Sequence, residues 1–498
     1  MRGTLAASVL RHALAEPDAV AVRDDRRVVT RAGVVDRAAR LADRLDDGTS
    51  APVLLATDDG IDLVTTLVAA NALGRPVVVA GWAVGEDDRR AVALETGAAA
   101  VVGAPADALE GLMHVDPSTV GGPQTPVAAS LVLDVPGLAL ADGTDGSVPD
   151  GSGLCAIVTT SGSTGRPRAV LVSDDGVVLE ASVPASRPEG PWPGDRFALP
   201  MAGSTAVILA VGRALAEGIP VTLLDPLRIA PSVFLQHLAD HGITALRMPA
   251  SLLRRLARSI GPGVALPDLR SVSVYGEALL WSDVALVRAS LSPDCTVTTS
   301  YGITEGGRVT VRTVAPDEPI GEGSVGVGAP IPGRRVWIDA GDGRPAPVGV
   351  EGAIVVEGRL HRHGAGIEQL PDGEARARPG DVGRLEVDGT LTLLGREDRM
   401  IKIAATRVEP DLVEDVLLGI PGILEAAVVA VEVAPSEFRL VAHVVVDAAR
   451  APSRPDLLAV LRRRVAPPAV PARISLRTEP LPTLVSGKVD RPRLIAES

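Results

Sequence analysis

A run of hydroxylated and glycine residues, Thr159-Thr160-Ser161-Gly162-Ser163-Thr164-Gly165-Arg166-Pro167-Arg168, follows directly on the apolar stretch 154–158. Such a turn gathers backbone N–H groups, hydroxyls and a cation in one place, which is the equipment for holding a polyphosphate. It is not a Walker loop, because no Gly-Lys-Ser/Thr closes it. Three further polar groups stand behind it in order: Tyr301-Gly302-Ile303-Thr304-Glu305, then Gly380-Asp381 with Gly395-Arg396-Glu397-Asp398, then Ser486-Gly487-Lys488-Val489-Asp490. The cations carry a second signal. Of 49 basic residues only Lys402 and Lys488 are lysines, and the other 47 are arginines. A chain that uses Arg wherever a cation suffices, yet keeps two lysines, points to positions where a compact ammonium is needed and a planar guanidinium fails.

These residues need a scaffold, and the chain is long enough to build one. Its 498 residues exceed the roughly 100–200 of one domain, so two or more domains are expected. Hydrophobic residues make up 46% of the chain, but it holds only 3 Phe, 4 Trp and 2 Tyr, so the core must be built from Ala, Val, Leu and Ile. A net charge of −13 without a long basic run argues against nucleic acid or an anionic membrane surface as a partner. Two cysteines, Cys155 and Cys295, cannot make a disulfide framework or a structural zinc site. The apolar stretch after Arg2 ends at Arg11, and later apolar runs are broken well before about 18 residues, so a cytoplasmic protein is expected.

Short apolar runs at 52–56 and 76–80 flank a helix-like stretch at 61–72, which reads as a βαβ unit. A Gly-, Asp-, Pro- and Ser-rich connection at 134–153 leads into a buried strand at 154–158. Strands at 221–224 and 271–275 alternate with helices at 232–240 and 251–259, which implies helices on a largely parallel sheet. From about 323 to 395 the pattern changes to short strands separated by turns such as Val387-Asp388-Gly389-Thr390. An α+β segment follows Arg396.

The four polar motifs, in this order and spacing, resemble those of the adenylate-forming superfamily: acyl-CoA synthetases, adenylation domains of non-ribosomal peptide synthetases, and firefly luciferase. The resemblance covers nearly the whole chain. It implies an α/β fold, with a large N-terminal domain of layered α/β subdomains plus a small β-barrel-like subdomain over 1–396. A small, mobile α+β C-terminal domain over 397–498 would be joined to it by a hinge at Asp398. It further implies that a carboxylate and MgATP are converted to an acyl-adenylate and pyrophosphate, after which the acyl group passes to a thiol. A carboxylate is a poor electrophile, and the mixed anhydride with AMP provides a good leaving group.

The same resemblance implies roles for individual residues. Thr160, Ser161, Gly162, Ser163, Thr164 and Gly165, with Arg168, would hold the β- and γ-phosphates. Arg168 stands where the family usually has Lys, and a guanidinium suits phosphate oxygens. Ala169 and Asp174 depart from the family's usual Gly and frequent His, so the back of that site differs. Tyr301 would stack on adenine, Gly276, Glu277 and Ala278 would line it, Thr304 would contact the α-phosphate, and Glu305 would ligand Mg²⁺. Asp381 would accept hydrogen bonds from the ribose hydroxyls, with Arg396 beside the same sugar. Lys488 would reach the α-phosphate and the substrate carboxylate as charge builds. Lys402 would enter the site only after the C-terminal domain has rotated about Asp398 for the second step.

The segment 198–206 lacks the acid that usually holds an α-ammonium in amino-acid-activating domains, and Thr205 occupies that place. A pocket for a small carboxylic acid would be lined by Thr205, Tyr275, Ser300 and Arg308, the last of which could instead be a surface cation. Val470-Pro471-Ala472-Arg473-Ile474 and Gly487-Lys488-Val489-Asp490-Arg491 look more like peptide-synthetase adenylation domains, which favours the phosphopantetheine thiol of a carrier protein. No Asp-Ser attachment motif appears downstream, so the carrier is expected as a separate chain. The alternatives are an acyl-CoA ligase using free CoA and a catalytically silent homologue acting as a binding subunit.

Overall fold

The computed structural model describes residues 4–57, 59–79, 86–103, 109, 111–120, 154–161, 167–173, 190–200, 205–225, 229–258, 266–303, 306–358, 360, 363–364, 367–371, 373–397, 401–403, 406–408, 410–434, 437–448, 450–483 and 489–498. The chain divides into two compact units, one of Met1–Arg247, Ile303–Gly307 and Arg359–Ala375, the other of Met248–Gly302, Arg308–Gly358 and Arg376–Ser498.

The first unit holds two β layers. In one, Val53–Leu55 pairs in parallel with both Val77–Val79 and Ala100–Val102, and Leu154–Ser161 joins in parallel beside Val77–Val79. In the other, Val221–Leu224 lies in parallel between Val20–Arg23 and Phe197–Pro200, and Ala245–Met248 pairs in parallel with Phe197–Pro200. The expected βαβ unit is present, with the helix Gly60–Ala72 as its crossover. Every position of this helix is buried. That fits its sequence, GIDLVTTLVAANA, which has no wide polar face to turn to water. It shares one core cluster with Val53, Val77 and Val102 of the first layer and Val22, Leu199 and Val221 of the second. The helix and the second layer approach so closely that a Cβ at Gly60 would stand 2.7 Å from Leu223 Cβ. Glycine at this position permits that closeness, and the core around it is mostly Ala, Val, Leu and Ile, as the scarcity of aromatic residues implied.

In the second unit, Ser271–Tyr275 and Thr296–Ser300 are parallel neighbours, with Tyr275 opposite Ser300. The helices Ala250–Arg258 and Trp281–Ser290 belong to the same unit. The β-rich part is an antiparallel set in which Arg334–Asp339 and Asp381–Leu385 pair with Gly352–Gly358, and Leu391–Arg396 pairs with Asp381–Leu385. It is an open sheet among the described residues, with no closure into the barrel-like form expected. The turn expected at 387–390 is there, closed by Glu386 N–H donating to Thr390 O at 2.9 Å. The C-terminal α+β segment is a long hairpin, Ile423–Ala434 with Glu437–Val446, extended in parallel by Arg473–Arg477. Val413 and Leu417 of the helix Pro410–Leu418 are buried in a core with Val428, Leu440 and Ala442 of that hairpin.

On this helix, Asp415 has its carboxyl pushed up to about 6 from 3.8, first by burial and then by the charge of Asp411. Arg254 opposes the shift and Asp283 adds to it. Because the folded value lies above the unfolded one, the stability this group contributes is fully present below about pH 3.8 and is lost as pH rises through about 6. Asp415→Asn should therefore flatten the dependence of the urea midpoint on pH between about 4 and 7, and raise the midpoint at neutral pH above that of the wild type. Superimposable wild-type and variant profiles would refute this account.

Candidate active site

Two adjacent parallel strands end level with each other, at Tyr275 and Ser300. Ligands of open α/β sheets collect at such carboxyl ends, since the chain leaves the sheet there and exposes its backbone. After Tyr275 the chain turns at Gly276, whose φ of +73° lies in the left-handed region that glycine adopts without strain. Gly276 and Ala278 are exposed, and the Glu277 side chain turns back into the protein. Its carboxylate accepts from Ser251 N–H at 2.6 Å and from Ser251 Oγ at 2.9 Å, at the start of the helix Ala250–Arg258.

After Ser300 comes Tyr301, only 7% exposed. Its carbonyl accepts from Val309 N–H at 2.8 Å and from Thr310 N–H at 3.2 Å. Tyr301 Oη donates to Asp381 Oδ2 at 2.5 Å, across 80 residues of sequence. Asp381 stands at the start of its strand opposite Arg396 at the end of the next, an antiparallel register that brings Arg396 Nη1 to 3.4 Å from Asp381 Oδ1. A phenol and a guanidinium thus face the two oxygens of one carboxylate, which leaves 16% of its side chain exposed. An ionised carboxylate held in this way can accept hydrogen bonds from hydroxyls, and the phenol ring offers an apolar face next to it.

Arg308 is 7% exposed and so is not a surface cation, and its main-chain carbonyl accepts from Arg334 Nε at 3.4 Å. In the first unit, the strands Leu154–Ser161 and Pro167–Ser173 form an antiparallel hairpin, with Thr160 opposite Arg168 and Ser161 opposite Pro167. The phosphate-loop candidates Thr160, Ser161 and Arg168 therefore stand at the facing ends of this strand pair; Gly162, Ser163, Thr164 and Gly165 lie outside the described residues. Thr205 opens the helix Thr205–Ala216 in the same unit. Lys402 is the middle residue of the strand Ile401–Ile403, opposite Arg407. Thr304, Glu305, Asp398 and Lys488 lie outside the described residues, and among the described residues no cluster of three or more His, Cys, Asp or Glu could hold a metal ion.

Sequence reading missed Ser251, Arg254 and Asp283. Arg254 forms a two-pronged pair with Asp283, Nε to Oδ1 at 2.7 Å and Nη2 to Oδ2 at 2.8 Å, and the same Nη2 donates to Ala278 O at 3.2 Å. Burial works against the charged guanidinium. The hydrogen bonds to Asp283, with the nearby charges of Asp283, Glu277 and Asp415, more than offset it, and its pKa stands above the ordinary arginine value. The residues that meet here are far apart in the chain and form no motif, so no spacing could have shown them.

The model of the AMP-binding enzyme family matches residues 9–363, and that of the AMP-binding enzyme C-terminal domain matches 412–488. Similar proteins include a probable non-canonical nonribosomal peptide synthetase, CymA, of Salinispora arenicola (strain CNS-205). It is 30% identical over 408 residues, which are 78% of this chain and 5% of that protein. An isonitrile lipopeptide synthase of Streptomyces coeruleorubidus is 32% identical over 354 residues, 69% of this chain and 24% of that one. The chain thus spans a quarter or less of the length of these relatives. In fold it is similar to the amide bond synthetase McbA of Marinactinospora thermotolerans, with a TM-score of 0.75 and 24% identity over 99% of both chains. It is also similar in fold to a benzoate CoA ligase of Burkholderia xenovorans LB400, with a TM-score of 0.78 and 22% identity over 99% of both. No described helix is long and apolar enough to cross a membrane. With a family model matching most of its length, and a mixed α/β architecture to go with it, the chain belongs to the AMP-binding enzyme family, the adenylate-forming ligases.

Proposed function

We propose that the chain activates a small carboxylic acid as its acyl-adenylate at the expense of ATP, and passes the acyl group to the phosphopantetheine thiol of a carrier protein in the cytoplasm. The observation that carries this reading is the meeting of Tyr301, Asp381 and Arg396 beside the level ends of two parallel strands. Tyr301 offers its ring to adenine, the exposed backbone of Gly276 and Ala278 lines it, and the carboxylate of Asp381 takes the ribose hydroxyls with Arg396 alongside. Thr160, Ser161, Gly162, Ser163, Thr164 and Gly165, with Arg168, hold the β- and γ-phosphates. Thr304 contacts the α-phosphate. Mg²⁺ would bind through Glu305 and the phosphates themselves, which suits an ion that takes few protein ligands, and would supply charge neutralisation at the triphosphate. A silent homologue has less support, because Glu305, Asp381, Arg396 and Lys488 are all present.

The division of labour follows from charge. Negative charge grows between the carboxylate and the α-phosphate during adenylation, and Lys488 supplies a compact ammonium there. Lys402, on the domain 397–498, serves the second step after rotation about Asp398. The two matched regions, 9–363 and 412–488, flank that hinge. Carrier-protein transfer draws support from the 470–474 and 487–491 strings and from relatives that are peptide and lipopeptide synthases. The acid is held by Tyr275, Ser300, Thr205 and Arg308. With Arg308 pointing into the acyl pocket, a substrate with a second anionic or polar group is favoured, because it offsets the cost of desolvating a guanidinium there.

Three measurements test these assignments. Exchange of labelled pyrophosphate into ATP, screened over amino, aryl, fatty and polar acids, should respond best to a small polar or dicarboxylic acid. A best response to a long apolar acid would overturn the substrate assignment, and no exchange with any acid would favour the silent homologue. Lys488→Ala should slow acyl-AMP formation by about 10²–10³ while still passing on an adenylate supplied ready-made, and Arg at this position should rescue poorly. Lys402→Ala should make acyl-AMP normally and slow thioester formation. Failure of both at one step would contradict the two-conformation scheme. Finally, a phosphopantetheinylated carrier protein should gain the acyl mass faster than free CoA does, and the reverse order would make the chain a CoA ligase.

A further inference from the structure

The segment 276–280 is tied from below at three of its positions. Glu277 accepts from the main-chain N–H and hydroxyl of Ser251, at 2.6 and 2.9 Å. Ala278 O accepts from Arg254 Nη2 at 3.2 Å, and Leu280 N–H donates to Asp283 Oδ2 at 2.9 Å. Arg254 joins the last two ties, since its fork also engages both oxygens of Asp283. The pair is sunk in the protein, with side chains 8% and 3% exposed. A buried ion pair is a poor source of stability compared with apolar residues of the same volume, because desolvation consumes most of its attraction. What it supplies here is direction. A planar guanidinium with donors at fixed angles sets the Asp283 carboxylate and the Ala278 carbonyl relative to one another, and an ammonium on a flexible stem cannot.

We infer that Arg254 is a positioning residue for nucleotide selection: it touches no ligand, but its fork holds the 276–280 backbone at the distance and tilt at which that backbone meets adenine. The inference rests on the reading of this site as the adenine site. Displacing a binding surface by about 1 Å can cost about 10²-fold, and the loss should fall on the base and spare the phosphates.

The test uses the full chain and measures binding of AMP, GMP and inorganic tripolyphosphate by equilibrium dialysis. Arg254→Lys keeps the charge that compensates Asp283 and removes the fork. It should weaken AMP binding by about tenfold and lower the preference for AMP over GMP, with tripolyphosphate binding unchanged. In pyrophosphate exchange the loss should appear in KM for ATP and not in kcat. Should Arg254→Lys not fold, the double variant Arg254→Met/Asp283→Leu replaces the pair with apolar residues and should show the same pattern. A folded variant that binds AMP as the wild type does, with the same AMP-to-GMP ratio, would overturn the role of Arg254. So would a loss that falls equally on tripolyphosphate. A wild-type chain that binds tripolyphosphate but not AMP would instead overturn the adenine-site reading on which the inference stands.

Discussion

The parallel pairing of Ser271–Tyr275 with Thr296–Ser300 is the constraint from which the candidate site follows. Parallel strands in register finish at the same edge of the sheet, so whatever each strand leads into is delivered to the same place. Here one leads into Gly276-Glu277-Ala278 and the other into Tyr301. An antiparallel neighbour would have sent one of these segments to the far edge. The interior of the pair is Val, Ser and Thr, and most of these positions are buried.

Once Tyr301 is placed, the β-rich part of the chain has to present Asp381 to it. The register of Asp381–Leu385 against Leu391–Arg396 does so and puts Arg396 beside the same carboxylate. One interaction joins residues from two sheets of different construction. It is charge-assisted and short, and it is stronger than a bond between neutral groups. Removal of the phenol oxygen would take away this bond and leave the guanidinium facing the other oxygen of the carboxylate.

Among the described residues, Arg75 and Arg254 do buried cationic work. Arg75 is fully buried and donates to Ala51 O at 2.6 Å, to Leu45 O and to Asp47. Arg254 is buried against Asp283. Both tasks call for several donors in one plane, which lysine lacks. The restriction of lysine to positions 402 and 488 thus contrasts with an extensive structural use of arginine.

Much of this was legible in the sequence because it is local. The βαβ unit around Gly60–Ala72, the strand Ser271–Tyr275 and the turn at 387–390 each follow from apolar periodicity or turn chemistry within a few residues. The motifs that carry the family resemblance are also contiguous strings, so order and spacing sufficed to single out Tyr301, Asp381 and Arg396, which the fold brings together. Three features were decided by tertiary structure. The hydroxyl- and glycine-rich loop joins two antiparallel strands, a matter of how Pro167–Ser173 finds its partner. Arg308 is buried, which its own neighbours in sequence do not dictate. The ties from Ser251 and Arg254 to the segment 276–280 join residues 24 to 26 positions apart on different elements. Burial and long-range pairing depend on which surfaces meet when the chain folds, and no single stretch of sequence contains both surfaces.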